Sequence, residues 1–177
     1  FRSNPASILL HGIPGAGKSE VLYWVRDFFE SICGWTHGTE FVYLASQWTM
    51  AALIGGRSFH SFCSVPFMKD GGSIANRPQD HNDMSRLFLR YEQLRWLFID
   101  ECSTMGCEVL ASGETNIRTH IREANTWALR PPAVVRPWGG VNVFYSGDFW
   151  QFKPVMLTPI FDDPFRDHKL SSTERIL

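Results

Sequence analysis

The sequence predicts an α/β fold: a mostly parallel sheet with helices on both faces, organised around a phosphate-binding loop. Three observations carry this. Short apolar runs alternate with stretches of helical periodicity along the 177 residues, the pattern of a parallel sheet covered by its crossover helices. A glycine-rich run, Gly12-Ile13-Pro14-Gly15-Ala16-Gly17-Lys18-Ser19, stands where the first apolar run hands over to the first helical stretch. Polar clusters follow the later apolar runs, at Asp100-Glu101 and at Asp148 with Gln151. Ligands of open parallel sheets bind at such strand ends.

The elements follow in chain order. Ile8-Leu9-Leu10 is a first strand. After the loop a helix begins near Lys18, and Val21, Val25, Phe28, Phe29 and Ile32 recur at helical spacing, predicting the face it packs on the sheet. Gly34 and the polar 36–39 stretch end it. Phe41–Ala45 reads as a buried strand, and Ala51–Ile54 as a short helix stopped by Gly55-Gly56. Residues 68–83, polar and rich in Gly, Asn and Asp, predict an exposed loop. Leu87, Phe88, Tyr91 and Leu94 give another helical face. Trp96–Ile99 is a third strand ending in Asp100-Glu101. A helix with Ile117, Ile121 and Ala124 inward and Arg118 and Arg122 outward comes next. Val141–Tyr145 is a fourth strand, ending at Gly147-Asp148.

The totals narrow the class. With 44% hydrophobic residues the chain can fill the core of one domain, and no run of about 18 apolar residues offers a membrane span. The first residue is Phe1, close before the phosphate loop, so the chain reads as a piece of a longer protein. The four cysteines form no C-x-x-C pair and the six histidines do not cluster with them, which argues against zinc and for reduced, buried thiols in an intracellular protein. A net charge of −1 is not the footprint of a strong nucleic-acid binder. Most of the seven Trp and fourteen Phe are expected in the core. Arg118, Arg122, Arg130 and Arg136 either line a nucleic-acid path or, with Glu114 and Glu123 between them, form a solvated face.

The chemistry comes from the strand-end clusters. Glycines let successive N–H groups of Gly12–Ser19 form an anion nest, and the helix N-terminus adds unpaired donors and a positive dipole end. Lys18 can reach the β- and γ-phosphates of a nucleoside triphosphate, and the Ser19 hydroxyl can bind Mg²⁺. Asp100 is placed to hold the same Mg²⁺, directly or through water. Glu101 is then free to act as the base that deprotonates an attacking water, and Gln151 offers an amide to the γ-phosphate or that water. A solvated turn is the plainer reading of two acids at a strand end. Lys18-Ser19 upstream speaks against it.

Taken together, the run Gly12–Ser19, then Ala45…Ile54-Gly55-Gly56-Arg57-Ser58-Phe59-His60-Ser61, then Ile99-Asp100-Glu101-Cys102-Ser103, Pro137-Trp138-Gly139-Gly140 and Gly147-Asp148-Phe149-Trp150-Gln151-Phe152-Lys153-Pro154-Val155 resembles the petite-integration-frequency (Pif-type) DNA helicases. These belong to the 5′-to-3′ branch of superfamily one. The similarity runs from about Ile8 to Val155. It implies a RecA-like P-loop NTPase domain, the first of two that clamp ATP and Mg²⁺ between them. It implies that the strand before Gly147-Asp148 lies between the phosphate-loop strand and the Asp100 strand, with Asp148 beside the nucleotide and Gln151 at its γ-phosphate. It also implies ATP-driven unwinding of DNA in repair, recombination and telomere maintenance, in the nucleus or mitochondrion, with single-stranded and duplex DNA as partners.

The chain departs from that pattern at Ser46-Gln47-Trp48-Thr49-Met50, where the family has Pro-Thr-Gly and small residues, and at Thr104, where it prefers Met. Gln47 can still donate to a DNA phosphate; Trp48 either stacks on a base or repacks locally and weakens the contact. Ser58 and His60 match the family and are candidate DNA contacts, His60 equally a packed core residue. The whole chain, 1–177, is expected to be one motor domain, with about 156–177 a linker towards a second motor domain and its arginines that these residues do not include. Alone it is expected to bind ATP, hydrolyse it poorly and not unwind DNA. Two alternatives stand: a decayed mobile-element helicase remnant acting as a nucleotide-binding or interaction module, and a small-molecule kinase, which leaves Glu101, Gln151 and the Gly55–His60 run without a purpose.

Overall fold

A computed structural model of the chain describes residues 5–66, 86–87, 89–122, 129–130, 134–151, 153–154 and 157–162. Its centre is a five-stranded sheet in the order β1-β7-β4-β2-β3, built from β1 (Ser7–His11), β2 (Phe41–Ala45), β3 (Arg57–Ser58), β4 (Trp96–Asp100) and β7 (Asn142–Gly147). Every pairing in it is parallel. β7 therefore lies between β1 and β4, as the family resemblance implies. Leu129–Arg130 (β5) and Val134–Val135 (β6) form a separate antiparallel pair.

The unbroken apolar runs Phe41–Ala45 of β2 and Trp96–Ile99 of β4 match strands whose two faces are both covered. Side chains alternate between two cores. Val42, Leu44, Leu97, Ile99 and Val143 point to one side, against α3 (Phe59–Cys63), Tyr91, Leu94 and α4 (Cys107–Arg122). Phe41, Tyr43, Ala45 and Phe98 point to the other, against Leu22 of α1 (Lys18–Asp27), Phe29 and Ala51 of α2 (Trp48–Leu53). Leu87, Tyr91 and Leu94 are buried as their spacing predicts. Phe88, Ala124, the loop over 68–83 and the tail from 163 lie outside the described residues.

Three expectations need correction. The buried stripe of α1 is Leu22 and Phe29 with Val25 packed against them, whereas Phe28 and Ile32 are 52% and 74% exposed. The helix widens into a π-turn over Phe28–Ile32, and the wider turn rotates Ile32 off the stripe that a 3.6-residue period assigns it. Secondly, the Glu114 and Arg118 side chains are not a solvated face. Glu114 is buried, accepts from Arg118 Nε at 2.8 Å and 3.1 Å, and accepts from the Trp138 backbone N–H at 3.1 Å. Arg136 is buried too. Thirdly, not every thiol is inside: Cys33 is exposed, while Cys63, Cys102 and Cys107 are buried and in no disulfide.

The paired glycines Gly55-Gly56 have a packing explanation. Gly55 has φ +60°, and a Cβ on Gly56 would lie 2.3 Å from the Tyr43 carbonyl oxygen. Only a glycine lets the chain pass that close to β2. The Arg26 guanidinium donates to the Gly55 carbonyl at 3.1 Å and lies over the Tyr43 ring at 4.8 Å, which ties α1 to this turn. The turn then delivers Ser58 opposite Ala45.

Candidate functional site

The phosphate-loop pattern folds as its residue types require. Gly15 and Gly17 take φ +77° and +85°, backbone that L side chains rarely adopt. The Ala16 N–H donates to the Ile13 carbonyl at 3.1 Å and closes the loop. α1 starts at Lys18 with Gly17 as its N-cap and no side-chain cap, so the first-turn N–H groups remain available to an anion. The Lys18 ammonium folds back and donates to the carbonyls of Gly12 at 2.6 Å and Ile13 at 3.3 Å. Ile13 to Gly17 and Ser19 are exposed.

The strand register brings the other motifs to this loop. His11 pairs with Gly147, and the Gly12 N–H donates to the Gly147 carbonyl at 3.3 Å. On the other side of β7, a Cβ on Gly147 would meet Ser103 N and Oγ at 3.2 Å and Cys102 Sγ at 3.1 Å. Gly147 thus stands between the phosphate loop and the turn that carries Glu101. Ser146, buried in β7, donates to Asp100 Oδ1 at 2.5 Å. That bond orients a carboxylate at the last position of β4.

Glu101 sits in left-handed backbone with φ 51° and ψ 41°, a conformation that costs a non-glycine residue about 1–2 kcal/mol. Its Oε2 is buried and has no hydrogen-bond partner among the described residues. Burial raises its pKa, the Asp100 charge and then Asp148 add to the rise, and Lys18 opposes it. The unmatched oxygen and the field of Lys18 both fit a carboxylate that waits for a water. Asp148, buried, accepts from the Trp150 N–H at 3.0 Å, and its carbonyl accepts from the Gln151 N–H at 3.2 Å, so it shapes the turn that presents Gln151. Stacking of His11 on Phe149, centroids 5.4 Å apart, pins that turn to the end of β1.

The donor set fits a magnesium nucleotide. Among the described residues no group of three or more His, Cys, Asp or Glu could hold a metal by itself. Magnesium asks for less: one or two protein oxygens plus phosphate and water, which Ser19 and Asp100 can supply.

The candidate DNA residues are divided. Gln47 is extended ahead of α2, and its side chain makes no capping bond. The Ser58 hydroxyl caps α3 by accepting from Ser61 N at 3.4 Å. His60 is half-buried, and burial lowers its pKa. Trp48 does not repack: it is 74% exposed at the carboxyl end of β2. The two departures at Ser46 and Thr104 meet, hydroxyl to hydroxyl, at 2.8 Å. Sequence reasoning missed this pair, and it missed Ser146, whose signal was a lone hydroxyl in an apolar strand before Gly147-Asp148.

Comparison with known proteins gives one family. The family model of PIF1-like helicases matches residues 1–170. The ATP-dependent DNA helicase Pif1 of Bdellovibrio bacteriovorus is 32% identical over 152 residues, which are 86% of this chain and 30% of that protein. PIF1 of Saccharomyces cerevisiae is 30% identical over 158 residues, 88% of this chain and 16% of its own length. The chain thus spans less than a third of either relative. In fold it resembles the crystal structure of Pif1 helicase from Candida albicans, with TM-score 0.63 at 23% identity, over 96% of this chain and 34% of that one. It also resembles the Bacteroides Pif1 helicase in complex with ADP-AlF3 and ssDNA, with TM-score 0.60 at 23% identity, over 86% of this chain and 30% of that one.

Proposed function

The chain belongs to the PIF1-like helicase family, and from that premise we propose that it is the first motor domain of an ATP-dependent DNA helicase that unwinds DNA in the 5′-to-3′ direction. The observation that carries the reading is the convergence on Gly147 of residues far apart in sequence: Gly12 bonded to it on one side, Cys102 and Ser103 against it on the other. The Gly12–Ser19 loop and the turn carrying Asp100 and Glu101 thereby flank the same residue of β7.

In this reading the N–H groups of Gly12–Ser19 and the first turn of α1 hold the phosphates of ATP. Lys18 leaves the carbonyls of Gly12 and Ile13 and turns its ammonium to the β- and γ-phosphates. Ser19 and Asp100 hold Mg²⁺, and Ser146 keeps Asp100 aimed. Bound there, the ion neutralises charge on the phosphate oxygens. Glu101 orients the attacking water and takes its proton at the carboxylate. Gln151 contacts the γ-phosphate from the turn shaped by Asp148. Arginines across the cleft, supplied by a second motor domain, add about 10³–10⁵ in turnover in comparable enzymes. Their contribution outweighs what the loop gives to the chemical step, so the 177 residues alone bind ATP, turn it over slowly and do not unwind. DNA is contacted from the β2 and β3 ends by Gln47, Ser58 and His60. The reading carries an intracellular role, nuclear or mitochondrial, in DNA repair, recombination and telomere maintenance.

The test is Glu101→Gln in the full-length protein. It is expected to bind nucleotide as the parent does and to lose DNA-stimulated hydrolysis. Normal turnover by that variant would remove the role given to the carboxylate, and turnover indifferent to DNA in the parent would remove the helicase reading.

A further inference from the structure

We propose that Thr104 is a positioning residue for Glu101, and that Ser46 makes this positioning responsive to the segment 46–50 at the end of β2. The inference rests on the role given above to Glu101. Its basis is the chain of hydrogen bonds joining the three residues.

The Glu101 carbonyl accepts two bonds from one residue: the Thr104 N–H at 3.1 Å and the Thr104 hydroxyl at 2.8 Å. Both close the turn that keeps Glu101 in its left-handed backbone. The N–H bond belongs to any residue but proline at that position. The hydroxyl bond is specific to Thr or Ser.

Proton counting fixes the direction of the remaining bond. A hydroxyl has one hydrogen, and the carbonyl of Glu101 can only accept. Thr104 therefore spends its hydrogen on Glu101, and in the 2.8 Å contact between the hydroxyls Ser46 must be the donor. The order is Ser46 to Thr104 to the Glu101 carbonyl, and aligned bonds of this kind strengthen one another. Ser46 is held there by register, since Ala45 pairs with Asp100 across β2 and β4. Immediately after Ser46 come Gln47, without a side-chain cap, and Trp48, 74% exposed. Whatever shifts this exposed segment pulls on Ser46 first. The opposite side of the turn has no such freedom, because Gly147 packs closely against Cys102 and Ser103. A displacement of the segment is thus passed through Thr104 to the Glu101 turn.

The experiment compares Thr104→Val, Thr104→Ser, Ser46→Ala and the Ser46→Ala/Thr104→Val pair in the full-length protein. Steady-state ATP hydrolysis with single-stranded DNA is measured beside equilibrium binding of a fluorescent ADP. Thr104→Val keeps shape and loses the hydroxyl. Its kcat is expected to fall by about ten- to a hundredfold, the scale of a misplaced catalytic group, while KM and ADP affinity stay within about twofold. Thr104→Ser restores kcat, which a bulk packing role would not do. Ser46→Ala costs less than Thr104→Val, and the pair costs no more than Thr104→Val alone, because both act through one chain. Parental kcat in Thr104→Val, additive losses in the pair, or a loss that Thr104→Ser fails to repair would overturn the proposal. If Glu101→Gln itself hydrolyses normally, the fault lies in the role of Glu101; if it is dead and Thr104→Val keeps the parental kcat, the fault lies here.

Discussion

Glu114 offers the sharpest stability test. It is a carboxylate only 5% exposed on α4, and it grips two groups at once: the Arg118 guanidinium and the N–H of Trp138. Trp138 has φ 53°, left-handed backbone for a bulky residue, inside the Pro137–Gly140 turn. The turn is held further by the Trp138 indole, which donates to the Tyr145 hydroxyl at 2.9 Å. Glu114→Ala removes a charge-assisted pair worth about 1.5–3 kcal/mol, towards the lower figure because the Arg118 side chain can recover water. It also leaves the buried Trp138 N–H unmatched, at about 1–3 kcal/mol. The sum is about 2.5–5 kcal/mol, or roughly 5–20 °C in Tm for a chain of this size. Glu114→Gln keeps an acceptor for Trp138 and loses only the charge, so it costs about 1–2 kcal/mol. Urea unfolding followed by tryptophan fluorescence, with unchanged m-values, measures both. An alanine variant within about 1 kcal/mol of the parent, or a glutamine variant as damaged as the alanine one, would refute the assignment.

Two further outcomes follow from the same coordinates. Gly56→Ala places a methyl 2.3 Å from the Tyr43 carbonyl; it is expected to cost about 1–3 kcal/mol and to speed amide exchange at Arg57 and Ser58 as β3 leaves β2. His37 accepts the Tyr43 N–H at Nε2, and burial, with Arg26 and Arg57 adding to it, lowers its pKa to about 4. Since the unfolded chain titrates near its ordinary value of about 6.5, it takes up a proton that the folded chain refuses. Stability from this source is therefore complete above about pH 6.5 and falls as the pH drops towards 4; urea midpoints at pH 7 and pH 5 in the parent and His37→Gln measure it, the variant showing the smaller drop.

How much of this could be read from the letters depends on the kind of signal. The parallel sheet was legible because β2 is apolar at every residue and β4 at every residue before Asp100, and the phosphate loop because its glycines must occupy backbone that other residues avoid. The position of β7 between β1 and β4 came from family resemblance, not from periodicity. What stayed hidden needed three dimensions. No helical count shows the π-turn that turns Ile32 outward. Interleaved charge suggested a wet face around Arg118, yet Glu114 is buried because a backbone N–H from residue 138 needs an acceptor. Ser46 and Thr104 looked like two unrelated departures from a pattern. Only the register of β2 on β4 puts one hydroxyl against the other.

Binding of nucleotide as a function of Mg²⁺ tests the central claim most directly, in the parent, Lys18→Ala and Asp100→Asn. The account predicts tight, magnesium-dependent binding of ATP in the parent. Lys18→Ala should lose at least about tenfold in affinity, the worth of one charge-assisted contact to phosphate. Asp100→Asn should keep binding without magnesium and lose the gain that magnesium brings. If both variants bound ATP and magnesium as the parent does, strands β4 and β7 would not share a site with the loop after β1, and the account would be wrong at its root.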